Sequence, residues 1–237
     1  MIKKNAAPLL FMFVLLTGCL EDPDPLPQTI DTYHYFYNYV TEDFDLQWEI
    51  DEEILGSGHT YGIPAEAVIQ LDQFEQEVLF QTRNPDTGIM VDSLSCLLVE
   101  NGLYMLAQLG SEEEPYLLCK PLDSRPPTSG RIKYHFMHAA ATMNPVDIYI
   151  GGDQPEDKVL SGLDYTSVTE YLETTEERLW TAIIITPANS LPADSTILSY
   201  TVNSFFQIGR TYLCTIGHSE NSIESPYQMQ VDAHPVY

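Results

Sequence analysis

The sequence predicts an all-β protein made of two tandem antiparallel β-sandwich modules. Three observations carry that reading. First, aromatic and β-branched residues alternate with a period of two. Tyr33, Tyr35, Tyr37 and Tyr39 fall on one face of a strand, and His34, Phe36, Asn38 and Val40 on the other; Ile132, Tyr134, Phe136 and His138 repeat the pattern. Second, turn signals punctuate the chain: Asn84-Pro85-Asp86 with Gly88, Asn101-Gly102, Gly151-Gly152, and Pro187 with Asn189. Short strands spaced at roughly 8–12 residues are the pattern of a sandwich. Third, a set of sequence blocks occurs twice, in the same order.

The elements follow from the N-terminus. Lys3 and Lys4 form a positive n-region, and Leu9 to Leu16 form an apolar h-region. That run is too short to cross a bilayer, which takes roughly 20 apolar residues, so residues 1–18 read as a cleaved signal peptide. Leu16, Thr17, Gly18 and Cys19 have the pattern of a lipobox. Cleavage before Cys19 leaves a cysteine that resembles the lipid-modified N-terminus of bacterial lipoproteins. At about 0.8 kcal/mol per buried CH₂, a three-chain anchor is in effect permanent. Leu20 follows the cysteine, and by resemblance to enterobacterial lipoproteins it implies outer-membrane sorting, facing the periplasm or the cell surface. Residues 19–30, rich in Pro and Asp, read as an extended tether.

Residues 31–122 and 131–237 are the two predicted modules, divided by the Pro/Gly-rich linker 123–130. YFYNYV (35–40) answers HFMHAA (135–140), and FDLQWEI (44–50) answers VDIYI (146–150) with Asp45 aligned to Asp147. LGSGHTYG (55–62) answers LSGLDYTS (160–167) with Tyr61 aligned to Tyr165, and EVLFQT (77–82) answers LWTAIIIT (179–186). SLSCLLVENGLYMLAQLG (93–110) answers ILSYTVNSFFQIGRTYLCTIG (197–217). The offset stays around 100 to 108 residues, the mark of a diverged tandem duplication. Residues 66–77 and 168–177 carry weak helical periodicity, and no helix is assigned to them.

The chain past residue 18 keeps eight of the ten Lys and Arg and all 35 Asp and Glu, a formal charge of −27. Such a field repels nucleic acid and anionic lipid headgroups, and it excludes a nucleic-acid role. The acids are scattered, and 44% of residues are hydrophobic, which fits a folded domain with a solvated acidic surface. Two acidic clusters, Asp51-Glu52-Glu53 and Glu112-Glu113-Glu114, lack the alternating oxygen ligands and turn glycine of an EF-hand loop. Besides Cys19 there are Cys96, Cys119 and Cys214. In an oxidising compartment Cys96 and Cys119 are the one plausible pair within a module. Each also sits in an apolar run, so two small buried hydrophobes are the alternative. Their spacing and the placement of the histidines argue against zinc.

The second module resembles a bacterial envelope family known as domain of unknown function 4397. The resemblance rests on His138-Ala139-Ala140, then Pro145-Val146-Asp147-Ile148-Tyr149-Ile150. It continues through Leu163, Tyr165 and Tyr171, then Gly209-Arg210-Thr211-Tyr212 through Gly217, so it covers about residues 131–220. The first module resembles a degenerate copy, with Asn38 in the histidine place. The resemblance implies two tandem immunoglobulin-like sandwiches at the cell envelope and brings no catalytic residues.

No reaction chemistry stands out. His138 and Asp147 read as a strand-end histidine and a turn-fixing acid. Ser57 and Ser219 lack a nucleophile-elbow frame. His135 and His138, three apart on a strand, point to opposite faces and make no metal pair. No dinucleotide or P-loop motif occurs. The expectation is therefore a non-enzymatic lipoprotein with no cofactor, catalytic or metal residues, which binds or scaffolds an envelope protein or polysaccharide. Two alternatives stand beside it. One is a carbohydrate- or polymer-binding accessory protein that uses exposed tyrosines. The other is a hydrolase with an unrecognised site, which a pocket gathering His59, Asp164 or Glu170 would favour.

Overall fold

Residues 30–42, 45–175, 182–200, 206–220 and 226–234 are described by a computed structural model; the signal segment, Cys19 and nearly all of the tether lie outside the described residues. The first unit contributes β1 (Ile30–Val40), β2 (Leu46–Ile50), β3 (Glu53–His59), β4 (Ala65–Leu71), β5 (Glu75–Arg83), β6 (Met90–Val99), β7 (Leu103–Gly110) and β8 (Pro115–Leu122). They form two four-stranded sheets, ordered β4-β1-β7-β8 and β3-β2-β5-β6. The second unit contributes β9 (Ile132–His138), β10 (Val146–Ile150), β11 (Lys158–Leu163), β12 (Leu172–Thr174), β13 (Ile183–Pro187), β14 (Leu198–Tyr200), β15 (Thr211–His218) and β16 (Tyr227–His234). Its sheets are ordered β12-β9-β15-β16 and β11-β10-β13-β14, the first unit's orders with eight added to every label. Among the described residues there is no α-helix, and residues 66–77 form β4, a turn and β5.

One feature departs from an all-antiparallel expectation: β1 pairs parallel with β7, and β9 parallel with β15. The two strands of each pair sit side by side in one sheet, but the chain between them passes through the other sheet. No hairpin therefore dictates their relative direction.

The repeat extends to register. Tyr33 pairs with Leu103 and Phe36 with Leu106 in the first unit; Lys133 pairs with Thr211 and Phe136 with Cys214 in the second. The register equates Phe36 with Phe136, as the first sequence block does; Tyr33 and Lys133 stand just before that block. The Asp45–Asp147 alignment is corrected. Leu46 and Trp48 occupy in β2 the register positions of Val146 and Ile148 in β10, so Asp147 stands where the first unit has Gln47. Matching the acids slips the register by two, a slip that keeps the alternation in phase, so strand pattern alone does not reveal it. Both units carry a register shift at this place, a bulge that bends the strand.

Each unit has its own core between its two sheets. Phe36, Trp48, Phe80, Leu98 and Leu106 fill the first; Phe136, Ile148, Ile185, Cys214 and Ile216 fill the second. In each, a tyrosine at the start of a strand ties back to the preceding turn. The Tyr104 hydroxyl accepts the Val99 N–H at 2.7 Å, and the Tyr212 hydroxyl accepts the Gln207 N–H at 2.8 Å. Burial of Cys214 in the second core pushes its thiol pKa up, so it stays a neutral apolar filler.

Cys96 on β6 and Cys119 on β8 are disulfide-bonded, with 6.5 Å between their Cα atoms. Both are edge strands, so the bond staples the two sheets of the first unit along one side. The second unit has no cysteine at the corresponding strands. Closing a loop of 23 residues' separation restricts the unfolded chain by about 3 kcal/mol. The double variant Cys96→Ser/Cys119→Ser is therefore expected to lose about 3 kcal/mol in urea unfolding. An unchanged midpoint would show that the bond adds nothing to the fold.

Candidate functional site

The two units are not strung loosely on a linker. The outer face of the β4-β1-β7-β8 sheet lies against the outer face of β12-β9-β15-β16. Tyr35, Tyr37, Tyr39, Met105 and Leu109 from the first unit pack with Met137, Ala139 and Leu213 from the second in a third apolar cluster. Tyr37 and Tyr39 stack at 6.0 Å, and Tyr39 meets Tyr61 edge-on at 5.4 Å. The tyrosine row, half-buried by any single-sheet reading, is thus buried by the second unit. The row that motivated a sugar-stacking platform faces the interior of the molecule.

Polar ties run along this seam. The Tyr61 hydroxyl accepts the His218 N–H at 3.2 Å, and Lys120 pairs with Glu170 at 3.1 Å. Segment 123–130, the linker between the two units, is pinned at both ends. The Asp123 N–H donates to the Tyr171 hydroxyl, and the Lys133 ammonium donates to the Asp123 carboxylate at 2.8 Å and to the Arg125 carbonyl. The Thr128 N–H donates to Glu173. Lys133 also lies 4.3 Å over the Tyr171 ring, which in turn stacks on His135. Arg125 first, and then Lys133, hold the Asp123 carboxyl below its usual range.

Asp232 is the one carboxylate of β16 that faces the seam. It pairs with Leu213, a seam residue, and cross-strand partners share a face. Burial pushes its pKa up to about 6, against hydrogen bonds from Gln230 that lower it. Burial first, and then the Asp232 charge, raise the pKa of Tyr37 and Tyr39 opposite. The sign follows from proton uptake. Between pH 6 and the unfolded value of 3.8 the folded chain holds a proton that the unfolded chain has released. Stability from this group therefore falls as pH rises through that window. Asp232→Asn is expected to gain about 2 kcal/mol above pH 7, the gain vanishing near pH 4. Thermal melts of both forms across that range check it; a gain that does not change with pH would contradict it.

Residues put forward for chemistry are engaged in structure. The His138 Nδ1 accepts the Ala140 N–H at 3.3 Å, and its Nε2–H donates to the Asn144 carbonyl at 3.4 Å. Asn38 does the same in the first unit, its Oδ1 accepting the Val40 N–H and its Nδ2 donating to the His59 carbonyl. Both side chains close the same strand end. Burial lowers the His138 pKa and keeps the ring neutral. Asp147 accepts from Lys158 at 2.6 Å, from the Gly162 N–H at 2.8 Å and from the Asn189 N–H at 3.0 Å. Burial works against its charge, but these donors outweigh it and hold the carboxyl low. His138 and Asp147 make no contact with each other among the hydrogen bonds of the described residues.

The structure does not gather His59, Asp164 and Glu170. Asp164 and Glu170 line a shallow groove of about 350 Å³ with Ser161 and Ser167. His59 ends β3 in the other unit, where the acid that acts on it is Asp45. Ser57 is exposed on β3, and Ser219 follows β15 with its N–H on the Pro226 carbonyl.

A larger groove of about 550 Å³ opens where the seam reaches the far end of the molecule. Thr41, Glu42, Ser111, Glu113 and Glu114 line it from the first unit, Ala141 and Tyr165 from the second. Burial, and then Glu112 and Glu113, raise the Glu42 pKa. Among the described residues no three His, Cys, Asp or Glu side chains are placed to hold a metal ion. The other acidic cluster is a hairpin turn: Asp51 and Glu52 both have positive φ, and the Asp51 carboxylate accepts the Leu79 N–H.

The signal that could have located the seam is the Tyr33-Tyr35-Tyr37-Tyr39 row itself. Four large aromatic residues on one strand face need a cover, and the duplicated sheet supplies one. No family model matches the chain, and no curated protein matches it.

Proposed function

We propose that this chain is an envelope lipoprotein, anchored through Cys19 at the outer membrane, that binds or scaffolds a partner and carries out no reaction. In this reading its units are tandem sandwiches of immunoglobulin-like build. The paired four-stranded sheets and the tyrosines that tie back across a turn support that comparison. The strand order is the chain's own, since β1 lies between β4 and β7, unlike the first strand of a constant-type domain.

The observation that carries the functional reading is the seam. β1 enters at Ile30, and its far end adjoins the loop that holds Tyr61, which meets His218 at the end of β15. Asp123, at the near end of β8, bonds Lys133 at the start of β9. The two units therefore run in the same direction, side by side. Residues 41–42 and loops 111–114, 139–145 and 164–167 are brought to one end, opposite the entry of the chain. A rigid body that displays two related sets of loops away from its anchor suits presentation or docking.

The experiment is fractionation of cells expressing the native chain or Cys19→Ser, followed by cross-linking in intact envelopes. Native protein is expected in the membrane fraction with a defined cross-linked partner, and Cys19→Ser in the soluble fraction. Membrane retention of Cys19→Ser would contradict the anchor. Anchored protein with no partner would contradict the binding role.

A further inference from the structure

Resting on the binding role above, we propose that the groove between the two units at the loop end docks an arginine side chain of the protein partner.

The two units cap each other there. Gly62 and Thr166 share a left-handed backbone, with φ 71° and 68°. Each donates its N–H to the matching strand-end carbonyl, that of Asn38 and that of His138. Tyr61 and Tyr165 are therefore equivalent, and each reaches across the seam. The His218 backbone acts on the Tyr61 hydroxyl, and the Gly110 backbone acts on that of Tyr165. Gly110 and His218 are equivalent in turn, since each closes a hairpin, opposite Pro115 and Tyr227. Such reciprocal contacts are those of an isologous interface, so the seam carries two related clefts.

The clefts differ in what fills them. The register of β1 and β9 puts Glu42 where the second unit has Thr142. In the second cleft Thr142 Oγ1 lies 3.4 Å from His218 Nε2 and 3.1 Å from the Tyr227 hydroxyl. The two rings meet at 5.1 Å between centroids, so the chain's own side chains occupy the place. In the first cleft glycine stands for that histidine, proline for that tyrosine and Glu42 for that threonine. Gly110, at φ 87°, admits no side chain, because a Cβ would run into the Glu114 carbonyl. Both rings are thus missing where the groove of about 550 Å³ opens, lined by Glu42, Ser111, Glu113, Glu114 and Tyr165.

The filled cleft indicates the chemistry of the occupant: a flat, nitrogen-bearing side chain set against residue 142. At Glu42 that nitrogen meets a carboxylate instead of a hydroxyl, with Glu113 and Glu114 beside it, so a cation fits. No described lysine or arginine lines the groove. Burial, and then Glu112 and Glu113, raise the Glu42 pKa, a cost that a bound cation removes. A guanidinium donates to two carboxylate oxygens at once and lays its plane on an aromatic ring such as Tyr165.

The test titrates N-acetylarginine amide into the isotope-labelled full-length protein in detergent and follows amide NMR shifts. Shifts are expected at Ser111, Glu113 and Tyr165, and not at Thr142 or at the acidic turn Asp51–Glu53. N-acetylcitrulline amide, neutral and of the same shape, should leave all of them in place. Glu42→Gln/Glu113→Gln should weaken arginine amide binding at least about tenfold. Equal shifts at the acidic turn, or an equal response to the citrulline amide, overturns the proposal. A lysine amide that binds as tightly overturns the assignment to arginine. Envelope cross-linking of the same double variant separates the two readings. A partner lost with the two carboxylates supports the site, and a partner retained by the variant sinks this groove alone. No partner with the native chain sinks the binding role and the groove together.

Discussion

Tyr39→Ala is expected to cost 3–5 kcal/mol, on the order measured for removing large buried aromatics, and to break one cooperative unfolding transition into two. Tyr39 is 2% exposed, yet it belongs to neither unit's own core. Its ring contacts Tyr37 and Tyr61, and its hydroxyl faces Thr215 of the second unit. Truncation opens a cavity between two rigid sheets that cannot collapse around it, because each is held by its own sandwich core. Leu213→Asp tests the same seam from the other side. Leu213 is fully buried and pairs with Asp232, so the variant sets two carboxylates together against an apolar face. Both variants should leave each unit folded while loosening their docking. Either one unfolding in a single step at the native midpoint would show that the seam contributes little.

The second large effect is acid sensitivity from His34. This side chain is buried in the first core, stacked on Tyr104 with 5.3 Å between ring centroids and 13° between planes. The Thr32 hydroxyl donates to the Ile69 carbonyl at 3.1 Å, so at 2.8 Å from His34 Nε2 it accepts. The ring is therefore the Nε2–H tautomer. Burial lowers its pKa to about 3 from 6.5. Because the folded value is depressed, the unfolded chain takes up the proton first as pH falls. Stability is fully present above pH 6.5 and is lost progressively towards pH 3. The loss amounts to about 4 kcal/mol over that window. His34→Phe keeps the aromatic stack and leaves the Thr32–Ile69 bond in place. It should flatten the slope of stability against pH between 6.5 and 3. An unchanged acid limb in urea titrations would contradict the assignment. Asp232, with its raised value, acts in the opposite sense and partly offsets the slope.

Much of the fold is legible from local pattern. Alternation along Tyr33–Val40 and Ile132–His138 marks β1 and β9. Asn101-Gly102 reads as a hairpin turn, but β6 and β7 lie in different sheets, so the turn carries the chain from one sheet to the other. The seam is not legible in the same way. Tyr33 to Tyr39 announce an aromatic face, but its cover comes from Met137, Ala139 and Leu213, some 100 residues or more away in sequence. The residues Asp123 to Gly130 read by composition only as a linker. What holds them is a buried lysine and a tyrosine whose roles depend on the docked pair. Direction within the β1–β7 pair is equally hidden, since strand pattern carries no polarity.

For the candidate site, the motif gives residue types but not their engagements. His138 and Asp147 read as a strand-end histidine and a turn-fixing acid, but that reading does not name the groups they hold. His138 closes its strand end on the Ala140 N–H, as Asn38 does on the Val40 N–H in the first unit. Asp147 gathers donors from Lys158, Gly162 and Asn189, residues far apart in the chain.

The central claim is that the two units act as one body because the tyrosine seam joins them. Differential scanning calorimetry of the intact protein tests it most directly. One transition is predicted, with equal calorimetric and van't Hoff enthalpies, splitting in Tyr39→Ala. Two separable transitions in the native protein would contradict it.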